Sequence, residues 1–285
     1  MPVLLASGFL LLVFPKEKPF EITFLDVGQG DGIYLSAGDG VAFFIDGGSS
    51  DVNEVGEYRI LPFLKSKGVA RIDYWFVTHC DTDHVSGLID ALEEGYEIGY
   101  IVLARHVPKD AAYEKLMQTA KYAGVPVVYM EVGDSVSTKQ MTFLCMGPSE
   151  DMEVAKDRND CSMILKMEWK SVLGDKRYTA FFAGDISTEV EKTLIVKEKP
   201  GDVDLYKAIH HGSNYSNSEE ILDALRPETI VISCAKKNRY GHPGKDAVVR
   251  MEETDANLYY TMDVGQVTIE IDKKGLVSVG VFLLQ

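Results

Sequence analysis

The sequence predicts an α/β sandwich with four layers (αββα), in which two β-sheets pack face to face between helices. The first observation is that strand-like and helix-like segments alternate from residue 20 to the end, in an order typical of two similar halves. The second is that no linker, short-period repeat or low-complexity tract divides the chain. The third is a hydrophobic fraction of 46% over 285 residues, enough for a large core.

The first half is predicted to open with three strands and to continue as alternating helices and strands. The second and third strands are joined by the glycine-rich turn "AGDG", and the first helix ends at Gly68. In chain order the segments are "FEITFLDVG", "DGIYLSAG", "GVAFFIDGG", the helix "EYRILPFLKSKG", the strand "IDYWFVTH", the helix "SGLIDALEEG", the strand "IGYIVLA", the helix "AAYEKLMQTAKYAG" and the strand "VPVVYM".

The second half begins with a run of three strands and ends with a hairpin. A helix that begins after Ser218 and a helix at "KDAVVRMEE" flank the strand "TIVISC". The turn "DKKG" joins "GQVTIEI" to "LVSVGVF" as a terminal hairpin. The opening strands are "MTFLCMG", "CSMILKMEW" and "RYTAFFAGD".

Residues 1–19 differ from the rest of the chain. Their first fourteen carry no charge, and a short polar linker, "PKEKP", follows. Fourteen residues are too few to cross a bilayer, which takes about 20, and the basic start of a signal peptide is missing. The segment is therefore the stub of a transmembrane helix from a longer protein, a weak anchor or a buried first strand. We accordingly divide the chain into an apolar segment with linker, 1–19, and a folded domain, 20–285.

Composition limits the possible functions. The formal net charge is −15, which argues against a module that binds nucleic acid through a basic surface. Four cysteines without a CxxC pair do not form a disulfide framework. No phosphate-binding glycine loop and no GxSxG motif is present, so we expect no nucleotide cofactor and no serine nucleophile.

The strongest chemical signal is "THCDTDHVSG" at 78–87, directly after an apolar strand. His79, Asp81, Asp83 and His84 fall within six residues. Imidazole and carboxylate groups are the usual ligands of zinc, manganese and iron. A solvated polar turn is the alternative, but it does not account for four ligand-type side chains behind an apolar strand.

Other potential ligands also end apolar stretches. Asp185 ends "FFAGD", His210 and His211 end "LYKAIHH", and Asp46 ends "FFID". Several such endings in one chain indicate that strand ends meet around one site. For Asp46 we expect a role in orienting a ligand, with an Asp-Gly turn as the alternative.

A third group of polar residues lies near "NRYGHP" at 238–243. His242 is predicted to contact a phosphate or to act as an acid, or else to be a structural loop residue. A local basic patch or, equally, a solvated face is predicted for Lys207, Lys236, Lys237, Arg239 and Lys245.

These motifs resemble the metallo-β-lactamase superfamily, whose signature is HxHxDH followed by a histidine, a bridging aspartate and a final histidine. The resemblance narrows to the C-terminal domain of the ComEC competence proteins, which are bacterial DNA-uptake channels. It runs from about Phe20 to the end. The motifs that carry it are "ITFLDVGQGDGIYL", "FFIDGG", "RILPFLKSKG", "THCDTDHVSGL", "AGDIS", "AIHHGSNYSNS" and "IVISCAKKNRYGHP".

The chain departs from the wider superfamily at two positions. Asp81 stands where the superfamily has its second histidine, as is usual in the ComEC group. The downstream histidine is missing, and the segment "NDCS" offers Asn159, Asp160 and Ser162 as residues behind the ligands. Cys80 lies inside the motif as a spacer or, alternatively, a zinc ligand.

The resemblance implies a metal-dependent hydrolase and, more narrowly, an external nuclease domain that degrades the DNA strand that is not imported. One or two ions would be held, Mn²⁺ being favoured because carboxylates replace imidazoles, with Zn²⁺ as the alternative. His79 and Asp81 would hold one ion, and Asp83, His84 and either His210 or His211 the other. Asp185 would bridge them.

The implied chemistry is attack by an activated water on a phosphodiester. Asp83 and His242 are the predicted catalytic residues, and the predicted substrate-binding residues are Ser213, Lys236, Arg239 and Tyr240. DNA, single-stranded by preference, would be the substrate. The membrane channel of the same protein would be the partner, which favours the transmembrane-stub interpretation and the extracellular face of the cell membrane.

Two other functions stay open. One is a free-standing exported hydrolase of small phosphodiesters or phosphocholine esters, which the net charge of −15 suits better. The other is a catalytically degenerate module that only binds DNA or a partner.

Overall fold

The computed structural model describes residues 19–149, 157–172, 176–272 and 275–283. The interpretations of the N-terminal apolar segment concern residues outside these ranges. Within them, no helix combines the length and the apolar character needed to span a lipid bilayer.

Two mixed β-sheets form the centre of the structure. The first has eight strands in the spatial order β15-β14-β1-β2-β3-β4-β5-β6. It is antiparallel from β15 to β3 and parallel from β3 to β6. The strands are β1 Phe20–Phe24, β2 Gly32–Ser36, β3 Ala42–Asp46, β4 Arg71–Val77, β5 Glu97–Ala104, β6 Val127–Met130, β14 Gln266–Ile271 and β15 Val277–Phe282.

The second sheet repeats this arrangement with seven strands. Its order is β13-β12-β11-β10-β9-β8-β7, parallel from β13 to β10 and antiparallel from β10 to β7. The strands are β7 Ser135–Ser137, β8 Met141–Gly147, β9 Ile164–Lys170, β10 Arg177–Phe182, β11 Leu205–Lys207, β12 Thr229–Ile232 and β13 Asn257–Tyr260.

Helices cover the outer face of each sheet. A π-helical turn, Gly56–Ile60, leads into α1, Leu61–Ser66, and with α2, Thr82–Glu93, and α3, Ala111–Ala123, it covers the first sheet. The second sheet is covered by α4, Thr188–Glu198, α5, Glu219–Leu225, and α6, Lys245–Glu252. A last short helix, α7, spans Thr261–Val264.

Three apolar cores hold these layers together. The central core lies between the sheets, where Phe43 and Phe76 of the first sheet meet Phe143 of the second at ring-centroid distances of 4.9 and 4.8 Å. The two outer cores lie between each sheet and its helices. Since both faces of each sheet are covered, every residue of β1, β2, β3 and β12 is buried. The predicted αββα sandwich is confirmed, as is the terminal hairpin of β14 and β15.

Several elements were not predicted from the sequence, and one helix begins earlier than expected. Helix α4 and strand β13 are additional, and α2 begins at Thr82 rather than at Ser86. As a result Asp83 and His84, which were expected in a loop, lie in the first helical turn. There the partial positive charge of the helix N-terminus favours a carboxylate.

The turn after β3 packs tightly against the start of α2. The carbonyl of Gly47 accepts hydrogen bonds from the backbone amides of Gly87 and Leu88, at 2.7 and 3.1 Å. A Cβ on Gly48 would lie 2.5 Å from backbone atoms of Asp83 and His84. This close approach sets the position of the helical turn that carries the two residues.

Replacing Gly48 with alanine is expected to lower the free energy of unfolding by about 1–3 kcal/mol, because two backbones must separate. The measurement is urea unfolding followed by circular dichroism. Gly280→Ala on β15 is the control, since the nearest atom to its new Cβ is 3.9 Å away. Equal stability of the two variants would contradict the close-packing argument.

Candidate metal centre

The ends of strands from both sheets converge on one buried cluster. Asp46 ends β3 and His79 follows β4, while Asp185 follows β10 and His211 follows β11. The carboxyl ends of the parallel strands thus deliver their following residues to the same edge, as the sequence pattern predicts for α/β folds.

His79 is held by two hydroxyl groups. Its Nδ1 lies 3.2 Å from Thr78 Oγ1 and 3.3 Å from Ser162 Oγ. Both hydroxyls donate their own protons elsewhere, Thr78 to the carboxylate of Asp46 and Ser162 to the carbonyl of Asn159. His79 Nδ1 must therefore be the donor, and its Nε2 carries the free lone pair.

The same orientation is imposed on two further buried histidines. His84 Nδ1 donates to Asp46 Oδ2 at 2.9 Å, and His211 Nδ1 donates to the carbonyl of Ser233 at 3.0 Å. Among the described residues, the Nε2 atoms of His79, His84 and His211 are buried without a hydrogen-bond partner. Histidines that ligate metals through Nε2 usually donate their Nδ1–H to the protein. These three histidines have that orientation.

Asp185 lies between His84 and the paired histidines. Its Oδ2 is 3.4 Å from His84 Nε2 and 3.6 Å from the Nε2 atoms of His210 and His211. Asp83 Oδ2 lies 3.7 Å from His211 Nε2. Two ligands that each lie about 2.1 Å from a tetrahedral ion are about 3.4 Å apart, so these spacings fit a divalent metal.

Asp31 also lies close to this cluster. One ligand atom from each of Asp31, His84, Asp185 and His211 lies within 4.8 Å of the others. However, Asp31 forms an ion pair with the ammonium group of Lys207, and that cation would repel a metal on the same side. Asp83, which lacks such a partner among the described residues, is therefore the better fourth ligand.

Burial and neighbouring charges set the protonation states. Burial lowers the pKa values of His79 and His211 well below the ordinary value, so both are neutral at neutral pH. Burial also opposes a charged His84, but Asp185 and Asp46 outweigh it and raise its pKa well above the ordinary value. Since Nδ1 donates to Asp46, a metal and a proton would compete for the Nε2 atom of His84.

The loop with the paired histidines is strained and braced. His210 and His211 both have φ of 52°, a left-handed conformation that is uncommon for residues other than glycine. Asn217 supports the turn: its side chain accepts from the amide of Ile209 and donates to the carbonyl of the same residue, both at 2.9 Å. In this turn the two rings have different surroundings: His211 is buried and His210 is partly exposed.

The "NDCS" segment forms the wall behind His79. Ser162 Oγ accepts a hydrogen bond from the amide of Asp185 at 3.2 Å, and Asp160 Oδ1 accepts one from the amide of Ser187 at 2.8 Å. Asn159 contributes through its carbonyl, which accepts from Ser162 Oγ at 2.6 Å. Asp81, on the exposed side of His79, forms an ion pair with Arg158, a residue that the sequence analysis did not single out.

A row of polar and aromatic groups leads from the cluster to solvent. The ring of His242 lies 5.2 Å from that of His210, and the ring of Tyr240 stacks on His242 at 5.7 Å. The guanidinium of Arg239 lies 4.8 Å from the centre of the Tyr240 ring. Burial, chiefly, lowers the pKa of His242 to about 4.

Other predicted residues lie in different surroundings. Ser213 is buried, and its Oγ accepts from the amide of Tyr215, so it shapes the histidine loop. Lys236 is exposed, and its ammonium group lies 4.0 Å from the carboxylate of Asp263.

Cys80 packs in the apolar core under α2, and burial raises the pKa of its thiol to about 12, which disfavours a thiolate ligand. Lys207 cannot belong to a surface basic patch, because it is buried against Asp31.

The fold and the buried cluster define a protein of the metallo-β-lactamase fold. Residues 26–147 match the model of the Metallo-beta-lactamase superfamily. The metallo-beta-lactamase fold protein YhfI from Bacillus subtilis is similar in structure, with a TM-score of 0.53, 12% sequence identity and coverage of 92% of this chain and all of that one.

Within this class the chain is similar to competence proteins, as its motifs predict. ComE operon protein 3 of Bacillus subtilis is 28% identical over 270 residues, 87% of this chain and 34% of that protein. Competence protein ComA of Neisseria gonorrhoeae is 28% identical over 251 residues, 85% of this chain and 31% of that protein. The chain thus spans about a third of the length of these relatives.

Lys207→Met is expected to lower the free energy of unfolding by about 3–5 kcal/mol, because it leaves the carboxylate of Asp31 buried without its cation. Lys192→Met is the matched control. Its pair with Glu220 is solvent-exposed, so its loss should leave the free energy of unfolding almost unchanged. Chemical unfolding of both variants measures the difference, and a Lys207→Met variant as stable as the control would contradict the buried-pair account.

Proposed function

We propose that the protein is a metal-dependent phosphodiesterase, and that it is the DNA nuclease domain of a ComEC-type DNA-uptake protein. Its substrate is DNA, single-stranded by preference, and it works at the extracellular face of the cell membrane next to the channel portion of the same protein. The similarity to competence proteins over most of this chain supports the setting.

We propose that Asp83, His84, Asp185 and His211 hold the principal ion. The free Nε2 atoms of both histidines and the carboxylate spacing around them support this choice of His211 over His210. His79 and Asp81 flank the position of any second ion. Carboxylates supply half of the four principal ligands, which favours Mn²⁺ over Zn²⁺.

An ion held by Asp83, His84, Asp185 and His211 would supply Lewis-acid chemistry: it would lower the pKa of a water molecule and polarise the phosphoryl group. The protein's own residues fix the geometry. Asp46 and the carbonyl of Ser233 hold His84 and His211 with their Nε2 atoms free. His242, which is neutral at neutral pH because its pKa lies near 4, hydrogen-bonds a phosphate oxygen rather than supplying a full proton.

The observation that carries the choice of DNA is the row of Arg239, Tyr240 and His242 beside the cluster. Nucleobases of single strands stack on exposed aromatic rings, and guanidinium groups bind phosphates. The ring of Tyr240 is exposed and stacks on His242. The ring of His242 in turn lies beside His210, which is close to Asp185. A base stacked here would bring its phosphodiester toward the cluster.

The second candidate is hydrolysis of a small phosphodiester or phosphocholine ester. The net charge of −15 favours it, because an acidic surface repels a polyanion at long range. Bound divalent ions and Arg239 offset this repulsion only locally.

Asp83→Ala is expected to reduce cleavage of labelled single-stranded DNA by at least about 100-fold, because it removes a proposed ligand. Metal-stripped protein should be inactive, and Mn²⁺ should restore more activity than Zn²⁺ or Mg²⁺. Asp223→Ala, an exposed carboxylate on α5, is the control. Retained cleavage by Asp83→Ala would contradict the site, and restoration by zinc alone would contradict the manganese preference.

Tyr240→Ala is expected to raise the KM for single-stranded DNA by about 5–100-fold, the range given by loss of one stacked base. Hydrolysis of bis(p-nitrophenyl) phosphate should change less than about twofold, since this small ester needs no base platform. Tyr240→Phe keeps the ring and should behave like wild type. If Tyr240→Ala impaired both substrates equally, the base-stacking argument for DNA would fail and the small-ester candidate would be favoured.

A further inference from the structure

We propose that Arg158 is a built-in substitute for a second metal ion, so that the centre holds one divalent ion tightly. This inference rests on the metal site of the proposed function. It assigns a role to a residue that neither the ligand motif nor the paired histidines include.

Arg158 is bound to the exposed side of the cluster by two carboxylates. Its Nε lies 2.9 Å from Asp81 Oδ1, and its Nη1 lies 3.2 Å from Asp110 Oδ2. Asp110 is itself fixed, because its Oδ1 caps α3 by accepting from the amides of Ala112 and Tyr113, each at 3.0 Å. The guanidinium is therefore held from two directions.

The backbone ties Arg158 to the wall behind His79. The carbonyl of Arg158 accepts from the amide of Cys161 at 3.1 Å, in the short turn that ends at Ser162. Ser162 Oγ in turn accepts from His79 Nδ1 at 3.3 Å. The same short turn therefore positions His79, through Ser162, and the guanidinium of Arg158 that pairs with Asp81.

The cations of the centre are placed beside particular carboxylates. Lys207 pairs with Asp31, and Arg158 is shared between Asp81 and Asp110. The carboxylate of Asp46 accepts hydrogen bonds from His84 and Thr78. Among the described residues, Asp83 and Asp185 have no lysine or arginine within ion-pair distance, and one divalent ion matches the combined charge of these two ligands.

The ligand supply points the same way. The principal position has two histidine nitrogens and two carboxylates around it. The second position has His79 Nε2 and an Asp81 whose Oδ1 is already bound to a guanidinium. A second ion would have to displace Arg158 or tolerate its charge, and either weakens its binding.

Manganese binding to metal-stripped full-length chain tests this assignment. Isothermal titration gives the number of ions and their affinities, and electron paramagnetic resonance detects spin coupling between neighbouring Mn²⁺ ions. We expect one tight, uncoupled equivalent in wild type and in Arg158→Lys, which keeps the charge. Arg158→Ala should bind a second equivalent at least about 10-fold tighter than wild type does, with a coupled spectrum.

Arg226→Ala is the matched control, because Arg226 forms an exposed pair with Asp202. It should bind manganese as wild type does. Two tight equivalents in wild type, or an Arg158→Ala protein that binds like wild type, would overturn the inference and leave the proposed function standing. Wild type that binds no manganese would contradict the proposed function and this inference together.

Discussion

The structure depends on a set of buried polar atoms that the protein itself does not satisfy. Within the described ranges, the Nε2 atoms of His79, His84 and His211 are buried without hydrogen-bond partners, as is one carboxylate oxygen of Asp185. Each such atom costs about 1–3 kcal/mol when it loses water and gains no hydrogen bond. Because ligand atoms of His84, His211 and Asp185 lie close together, the arrangement fits a bound divalent cation.

The sandwich supplies the rigidity that this arrangement needs. Parallel strands in both sheets end at the same edge, and buried layers of apolar residues lie on both faces of each sheet. Thr78 shows how closely the parts are linked. Its amide and hydroxyl bind the carboxylate of Asp46, which holds His84, while its hydroxyl also accepts from His79. One threonine thus helps to orient two of the histidines.

The sequence predicts the parts of the structure that have strong local signals. The apolar strands that run into Asp46, His79 and Asp185 could be recognised from pattern alone. Helix α4 was missed because most of its residues are charged or exposed, and β13 because it is short and half-buried.

Asp31 and Lys207 were missed as a pair because each is unremarkable in its own segment. They meet only when the two sheets pack, across 176 positions of sequence. Arg158 was not predicted for the same reason. The sequence alone could not choose between His210 and His211, because the choice depends on the left-handed backbone of their turn.

The central claim, that the free Nε2 atoms bind a divalent ion, is tested most directly by anomalous diffraction from crystals grown with Mn²⁺. The account predicts an ion bound by the Nε2 atoms of His84 and His211 and by Asp185, whereas manganese bound elsewhere with those nitrogens unliganded would contradict it.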